Sequence, residues 1–137
     1  MPRRKDRIII DTNIWISFLL TKDFSRLDKI FKNGNVVLLF SEELLKEFIE
    51  VSGRTKFKRY FTPTILQELL MQIRGRGEFI IVKSYTAICR DPKDNFLLSL
   101  SKDGKASHLI TGDKDLLDLK RFGKAQITTL QKYLAGR

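Results

Sequence analysis

Ile8-Ile9-Ile10 is a β-branched run with no polar alternation, and it stops on Asp11. A run that is apolar on both faces suits a strand buried inside a parallel sheet, because helices cover both sides of such a sheet. The pattern predicts a strand over 7–10, and the Asp11-Thr12-Asn13 turn opens a helix through Leu20. The unit recurs at Val36–Phe40, where Ser41 is the N-cap of a helix over 42–51 whose first-turn acids suit the helix dipole. Residues 78–82 read as a third strand. Asp91-Pro92 opens a helix that Asp103-Gly104 closes, and 107–110 is the next strand. A short helix over 116–119, a last edge strand over 126–128 and a terminal helix over 129–134 complete the pattern. Strands alternating with helices imply a three-layer α/β/α sandwich around a mostly parallel sheet, which takes ligands at the carboxyl ends of its strands.

Between Gly53 and Phe61 the chain is basic and interleaved with aromatics, without clean periodicity, as in a connecting loop or short helix. Thr62-Pro63 starts a helix carrying Ile65, Leu66, Leu69, Leu70 and Ile73 at helical spacing and ending at Gly75 and Gly77. The whole of 1–137 is expected to be a single domain, long enough for one core and too short for two. Apolar residues at 42% and charged residues at 31% exclude disordered and fibrous classes. Cys89 has no second cysteine to pair with, and no zinc-spaced Cys/His cluster occurs, so a reducing cytoplasmic setting is expected. The basic start runs into Ile8-Ile9-Ile10, which Asp11 interrupts before it could serve as a signal segment or membrane span. With 26 Lys and Arg against 16 Asp and Glu the formal charge is +10, which favours polyanionic partners such as nucleic acid.

The acids stand where such a sheet binds ligands. Asp11 and Asp113 each follow a buried strand, where a carboxylate needs a partner or a cation and where capping the next helix is the plain alternative. Asp94, near the third position of its helix, is by itself an ordinary first-turn acid. On the helix after Ser41 a 100° projection places Leu44, Leu45, Phe48, Ile49 and Val51 on the core face. Glu42 and Glu47 fall at its two borders, and periodicity does not choose between them. Several gathered carboxylates are what a hard divalent cation requires, and without one they repel each other by several kcal/mol.

The segments Asp11-Thr12-Asn13-Ile14-Trp15-Ile16-Ser17, Ser41-Glu42-Glu43-Leu44-Leu45-Lys46-Glu47-Phe48, Arg90-Asp91-Pro92-Lys93-Asp94-Asn95 and Thr111-Gly112-Asp113-Lys114-Asp115-Leu116 together resemble, in order and spacing, the motifs of the PIN-domain family, including VapC-like toxins of toxin–antitoxin modules. The resemblance implies a metal-binding and catalytic quartet of Asp11, Glu47, Asp94 and Asp113, with Glu47 taking the helix position. It implies that Thr12 and Asn13 shape the turn at Asp11, that Thr111 hydrogen-bonds near the site, that Asp115 is an auxiliary or supporting acid, and that Asp91 caps its helix. The implied activity is endoribonuclease hydrolysis of RNA phosphodiesters with Mg²⁺ or Mn²⁺, which lowers the pKa of a bound water and leaves a 5′ phosphate and a 3′ hydroxyl. An antitoxin partner and a homodimer come with the toxin-like members. His108, in a strand, is expected to be structural. Arg54, Lys56, Lys58 and Arg59 are expected to contact RNA, with Arg74 and Arg76 adding charge, while Phe57 and Tyr60 are as readily core-facing as stacking. Alternatives are a stand-alone RNA-processing PIN nuclease and a non-catalytic PIN-like binding module. A receiver or haloacid-dehalogenase-type enzyme fits less well, because Asp11-Thr12-Asn13 lacks a second acid.

Overall fold

The computed structural model describes residues 5–21, 24–32, 35–54, 64 and 75–136. Six strands form one sheet in the order β3-β2-β1-β4-β6-β5: β1 (Asp6–Ile10), β2 (Val36–Phe40), β3 (Gly77–Phe79), β4 (His108–Ile110), β5 (Arg121–Phe122) and β6 (Ala125–Thr128). All neighbours are parallel except β5 and β6, which form a hairpin. The predicted edge strand over 126–128 is therefore interior: β5 lies outside it and takes the edge. The third strand is shorter than the β-rich sequence suggests, and 80–91 continues as an irregular extended segment.

Helices α1 (Thr12–Thr21), α2 (Ser25–Phe31), α3 (Glu42–Ser52), α4 (Pro92–Asp103), α5 (Lys114–Leu119) and α6 (Leu130–Ala135) cover the sheet. The period-2 geometry of β1 sends Ile8 and Ile10 to one face, with Trp15, Phe18, Leu27, Ile30 and Tyr133. Ile9 goes to the other face, with Leu97, Leu98, Leu100, Leu109 and Leu116. Two separate cores on a shared sheet make the three layers, and each fully buried Ile or Leu contributes roughly 1.5–3 kcal/mol. Both faces of β1 are dry because Ile8, Ile9 and Ile10 are all at 1% exposure or less.

Helix α3 departs from the projection. Leu44, Phe48 and Val51, spaced i, i+4, i+7, pack inward, whereas Leu45 is 38% and Ile49 68% exposed. The buried stripe is narrower than the apolar pattern because only one row of the helix is covered by its neighbours, chiefly α1 and α4. Helix α2 has no clear start signal: its N-cap is Phe24, whose side chain makes no capping bond, and burial of Leu27, Ile30 and Phe31 holds it instead.

Strand order fixes the site. From β1 the chain moves outward to β2 and β3, then returns to place β4 on the opposite side of β1. The crevice at that reversal, beyond the carboxyl ends of β1 and β4, is where open α/β sheets bind ligands.

Candidate active site

Asp11 leaves β1 and Thr111-Gly112-Asp113 leaves β4, so the parallel pairing of Ile10 with Ile110 brings them side by side. The Asp11 amide donates to the Ile110 carbonyl at 2.9 Å, and the Thr111 amide to Thr128 O at 3.0 Å, which locks both strand ends. Thr111 is fully buried and ties the two acids together. Its hydroxyl donates to Asp11 Oδ2 at 2.7 Å and accepts from the Asp113 amide at 3.0 Å. Asp11 Oδ1 also accepts from the Asn13 amide, at 3.4 Å.

Asp113 is at once an N-cap and a site acid. Its Oδ1 accepts from the amides of Asp115 at 2.8 Å and Leu116 at 3.3 Å. Asp91 caps α4 as expected, accepting from the Lys93 amide at 3.0 Å, and this starts the turn that carries Asp94. Asn95 braces the same turn with a paired contact: its Nδ2 donates to Cys89 O and its Oδ1 accepts from Cys89 N, each at 2.9 Å. Cys89 itself is half-buried. Asp103 holds the segment before it, accepting from the amides of Lys83 and Ser84 and from the Ser84 hydroxyl. Nothing in the motif spacing marks Asn95 or Asp103 as positioning residues. Only the path of 80–91 along α4 reveals them.

One carboxylate oxygen each from Asp94, Asp113 and Asp115 lies within 4.8 Å of the others, forming the tightest acidic group among the described residues. Asp115 thus sits in the central group, where the motif resemblance gave it a supporting place. Asp11 adjoins through Thr111. Glu47 comes in from α3, half-buried and 3.6 Å from Lys93 Nζ, close enough to Asp11 that the two charges oppose each other. Glu42 turns to solvent and pairs with Lys46 at 3.1 Å, so it is Glu47 that faces the cluster.

Electrostatics record the crowding. Burial first, then the charges of Asp113, Asp91, Asp11 and Asp115, push the Asp94 carboxyl up to about 7. Burial also raises Asp11, against the pull of Thr111 and Asn13. Glu47 is raised by burial, with Lys93 opposing. Asp94 Oδ2 is buried with no hydrogen-bond partner among the described residues, and Thr12 Oγ1, buried on the Glu47 side of Asp11, makes no hydrogen bond of normal geometry. A buried acceptor aimed into a group of like charges is a strong electrostatic debt, and a hard divalent cation with oxygen ligands meets it. The residues present fit such an ion.

Of the residues expected to contact RNA, Arg54 is exposed just past α3, and Lys56, Lys58 and Arg59 lie outside the described residues, as do Phe57, Tyr60 and Arg74. Arg76 has a structural use: its guanidinium lies 4.6 Å over the Phe31 ring and donates to Phe31 O at 3.2 Å. His108 stands away from the acids, with Nδ1 2.9 Å from Ser107 Oγ and its ring edge-on to Tyr133 at 4.9 Å.

A family model described as PIN domain matches residues 7–115, and the chain belongs to the PIN-domain family. PIN domains are generally nucleases, which places the chemistry in phosphodiester hydrolysis. An uncharacterized protein of Methanocaldococcus jannaschii is 30% identical over 128 residues, 90% of this chain and 81% of that protein. In fold, the chain is similar to one in the crystal structure of VapBC2 from Rickettsia felis bound to a DNA fragment from their promoter. That likeness has a TM-score of 0.58 at 16% identity and covers 88% of this chain and 96% of the other. No helix among the described residues is long and apolar enough to cross a membrane.

Proposed function

We propose that this chain is a metal-dependent endoribonuclease in which Asp11, Glu47, Asp94 and Asp113 hold Mg²⁺ or Mn²⁺, with Asp115 beside them. The carrying observation is the buried, unpartnered Oδ2 of Asp94 in a cluster of acids at the sheet's switch point. When bound, such an ion neutralises phosphoryl oxygens and acidifies a coordinated water. The protein's part is positional. Thr111 fixes the rotamer of Asp11, the α5 cap fixes Asp113, and the Asp91 cap and Asn95 brace fix Asp94. Lys93, at the rim, opposes the upward shift that burial gives the Glu47 carboxyl. With His108 engaged by Ser107 and Tyr133, the acids and not an imidazole handle the proton of the attacking water.

An RNA backbone is drawn to a chain of net charge +10 despite its acidic centre, and Arg54, Lys56, Lys58 and Arg59 are proposed as contacts from the sequence. The fold likeness to a chain of the VapBC2 structure supports a toxin of a toxin–antitoxin module with an antitoxin partner; that it acts in the cytoplasm and as a homodimer is part of the same reading and rests on the motif resemblance alone. The test is cleavage of a mixed set of structured and single-stranded RNAs in Mg²⁺, Mn²⁺ or EDTA, comparing the native chain with Asp11→Asn. Cleavage that needs metal and is lost in the variant is the expected result; RNA binding without cleavage in any metal would overturn the catalytic reading in favour of a binding module.

A further inference from the structure

Among the described residues, two cavities flank the acidic cluster, and their walls differ in chemistry. The one between α3 and α4 is lined by Glu43, Glu47 and Glu50 with Lys46 and Lys93, and both lysines are already engaged, with Glu42 and Glu47 respectively. Such a wall repels a phosphodiester. The other, of about 300 Å³, opens between α1, α2 and the β4 exit; Asn13, Ser17, Arg26 and Gly112 line it, and among the described residues Asp113 is the one acid in its wall.

Arg26 has no carboxylate within ion-pair distance among the described residues. Its guanidinium lies 5.6 Å from the centroid of the Phe18 ring, and Phe18 is fully buried, so the ring is a fixed platform for the charge. The α2 backbone that carries it is anchored by Leu27 and Ile30, both at 0% exposure. At Gly112 a built Cβ would meet nothing within 4 Å, so a strand of nucleic acid can pass close to the peptide there. A half-buried, pre-positioned guanidinium that pairs with no carboxylate among the described residues, with two neutral hydrogen-bonding side chains beside it, suits a phosphate, which accepts a bidentate fork.

We infer that the Arg26 cavity is a backbone-phosphate subsite, holding an RNA phosphodiester adjacent to the one at the acids and thereby setting which linkage reaches Asp94 and Asp113. This rests on the ribonuclease reading of the same site. Asn13 and Ser17 add hydrogen bonds to the phosphate or its ribose, and Arg26 acts in binding and register, not on the scissile bond.

The test titrates the full chain with a single-stranded RNA oligonucleotide of mixed sequence, Ca²⁺ replacing Mg²⁺, and repeats it with the oligonucleotide carrying one neutral methylphosphonate linkage at each position in turn. Arg26→Ala and Arg26→Met are compared with the native chain, the methionine keeping an apolar stem on Phe18, and thermal melts check the fold. Loss of the fork is expected to weaken binding about tenfold in both variants. The slope of log affinity against log salt is expected to fall by about 0.7, one single-strand phosphate. One linkage whose neutralisation weakens the native chain is expected to cost the variants nothing. Unchanged affinity and slope in folded variants would overturn the subsite while leaving metal-dependent cleavage intact, and so would a methylphosphonate penalty that persists at every linkage in Arg26→Met. If the native chain binds and shows the coupling at one linkage but cleaves no RNA in Mg²⁺ or Mn²⁺, the subsite stands and the nuclease reading falls. If the native chain binds no RNA, both fall.

Discussion

Asp11 and Asp94 are buried almost equally, at 6% and 5% exposure, and they stand in the same acidic cluster, yet the fold treats them oppositely. Asp11 is supplied with donors: the Thr111 hydroxyl on one oxygen and the Asn13 amide on the other. Asp94 is given none for Oδ2 and is surrounded instead by the charges of Asp113, Asp91, Asp11 and Asp115. Hydrogen bonds to the charged form pull against desolvation at Asp11, while at Asp94 every neighbouring charge adds to it. One carboxylate is held in place by protein, and the other is left for a cation to satisfy. A rigid anchor paired with an unsatisfied ligand keeps the site assembled and still favourable to metal.

Replacing the unsatisfied member gives the sharpest contrast. Asp94→Asn should reduce RNA cleavage by at least about 100-fold, beyond the 10–100-fold usual for groups that only support a ligand. In EDTA at pH 8 its thermal midpoint should equal or exceed that of the native chain, because a self-repelling charge has been removed. A lowered midpoint in EDTA would break the comparison, since it would mean that the protein itself satisfies Asp94.

The second effect is in pH. Asp94 shifts from an ordinary 3.8 to about 7 in the folded chain, so between those values the folded state holds a proton that the unfolded state has released. Stability without metal must therefore fall as pH rises through that window, by up to about 4 kcal/mol, and be fully present only below it. Asp11 and Glu47, also raised, act in the same direction. Denaturant melts from pH 5 to 8 in EDTA should trace the decline, and saturating Mg²⁺ should reverse it, because the bound ion selects the ionised carboxylates. A flat profile in EDTA would remove the electrostatic distinction drawn above.

Smaller effects separate the two threonines. Thr111→Val leaves Asp11 Oδ2 buried without its donor and should cost about 1–3 kcal/mol, with metal affinity by calorimetry down about 10–100-fold. Thr12 Oγ1 makes no hydrogen bond of normal geometry, only a loose contact with the Glu47 carboxyl, so Thr12→Val should change stability by less than about 0.5 kcal/mol in the same melts. Equal costs for the two substitutions would show that burial, and not bonding, holds Asp11.

Much of this arrangement is legible along the chain. Ile8-Ile9-Ile10 announces a strand buried on both faces, and Ser41, Asp91 and Thr129 announce helix starts, because those signals are local: β-branched sterics and a side-chain oxygen facing the next turn's amides. The placement of Asp11 and Asp113 at strand ends follows from the same local reading. Helix α2 is not legible, since Phe24 gives no cap and the helix is held by Leu27 and Ile30 against residues far away in sequence. Nor are the exposed positions of Leu45 and Ile49, because an apolar pattern states which residues can be buried and not how wide a face the neighbours cover.

By itself the sequence determined the alternation of strands and helices, the caps, the excess of positive charge and the presence of acids at strand ends, all of which depend on side-chain chemistry within a few residues of each position. Tertiary structure alone decided that β6 is interior, that Asp115 joins Asp94 and Asp113, and that Asp94 has a buried oxygen with no partner among the described residues, while the choice of Glu47 over Glu42, which periodicity left open, was carried in the sequence only by the motif resemblance. Those outcomes depend on strand order and on which elements pack together: Thr111 meets Asp11 across a separation of 100 residues, and only the parallel pairing of β1 with β4 closes that distance.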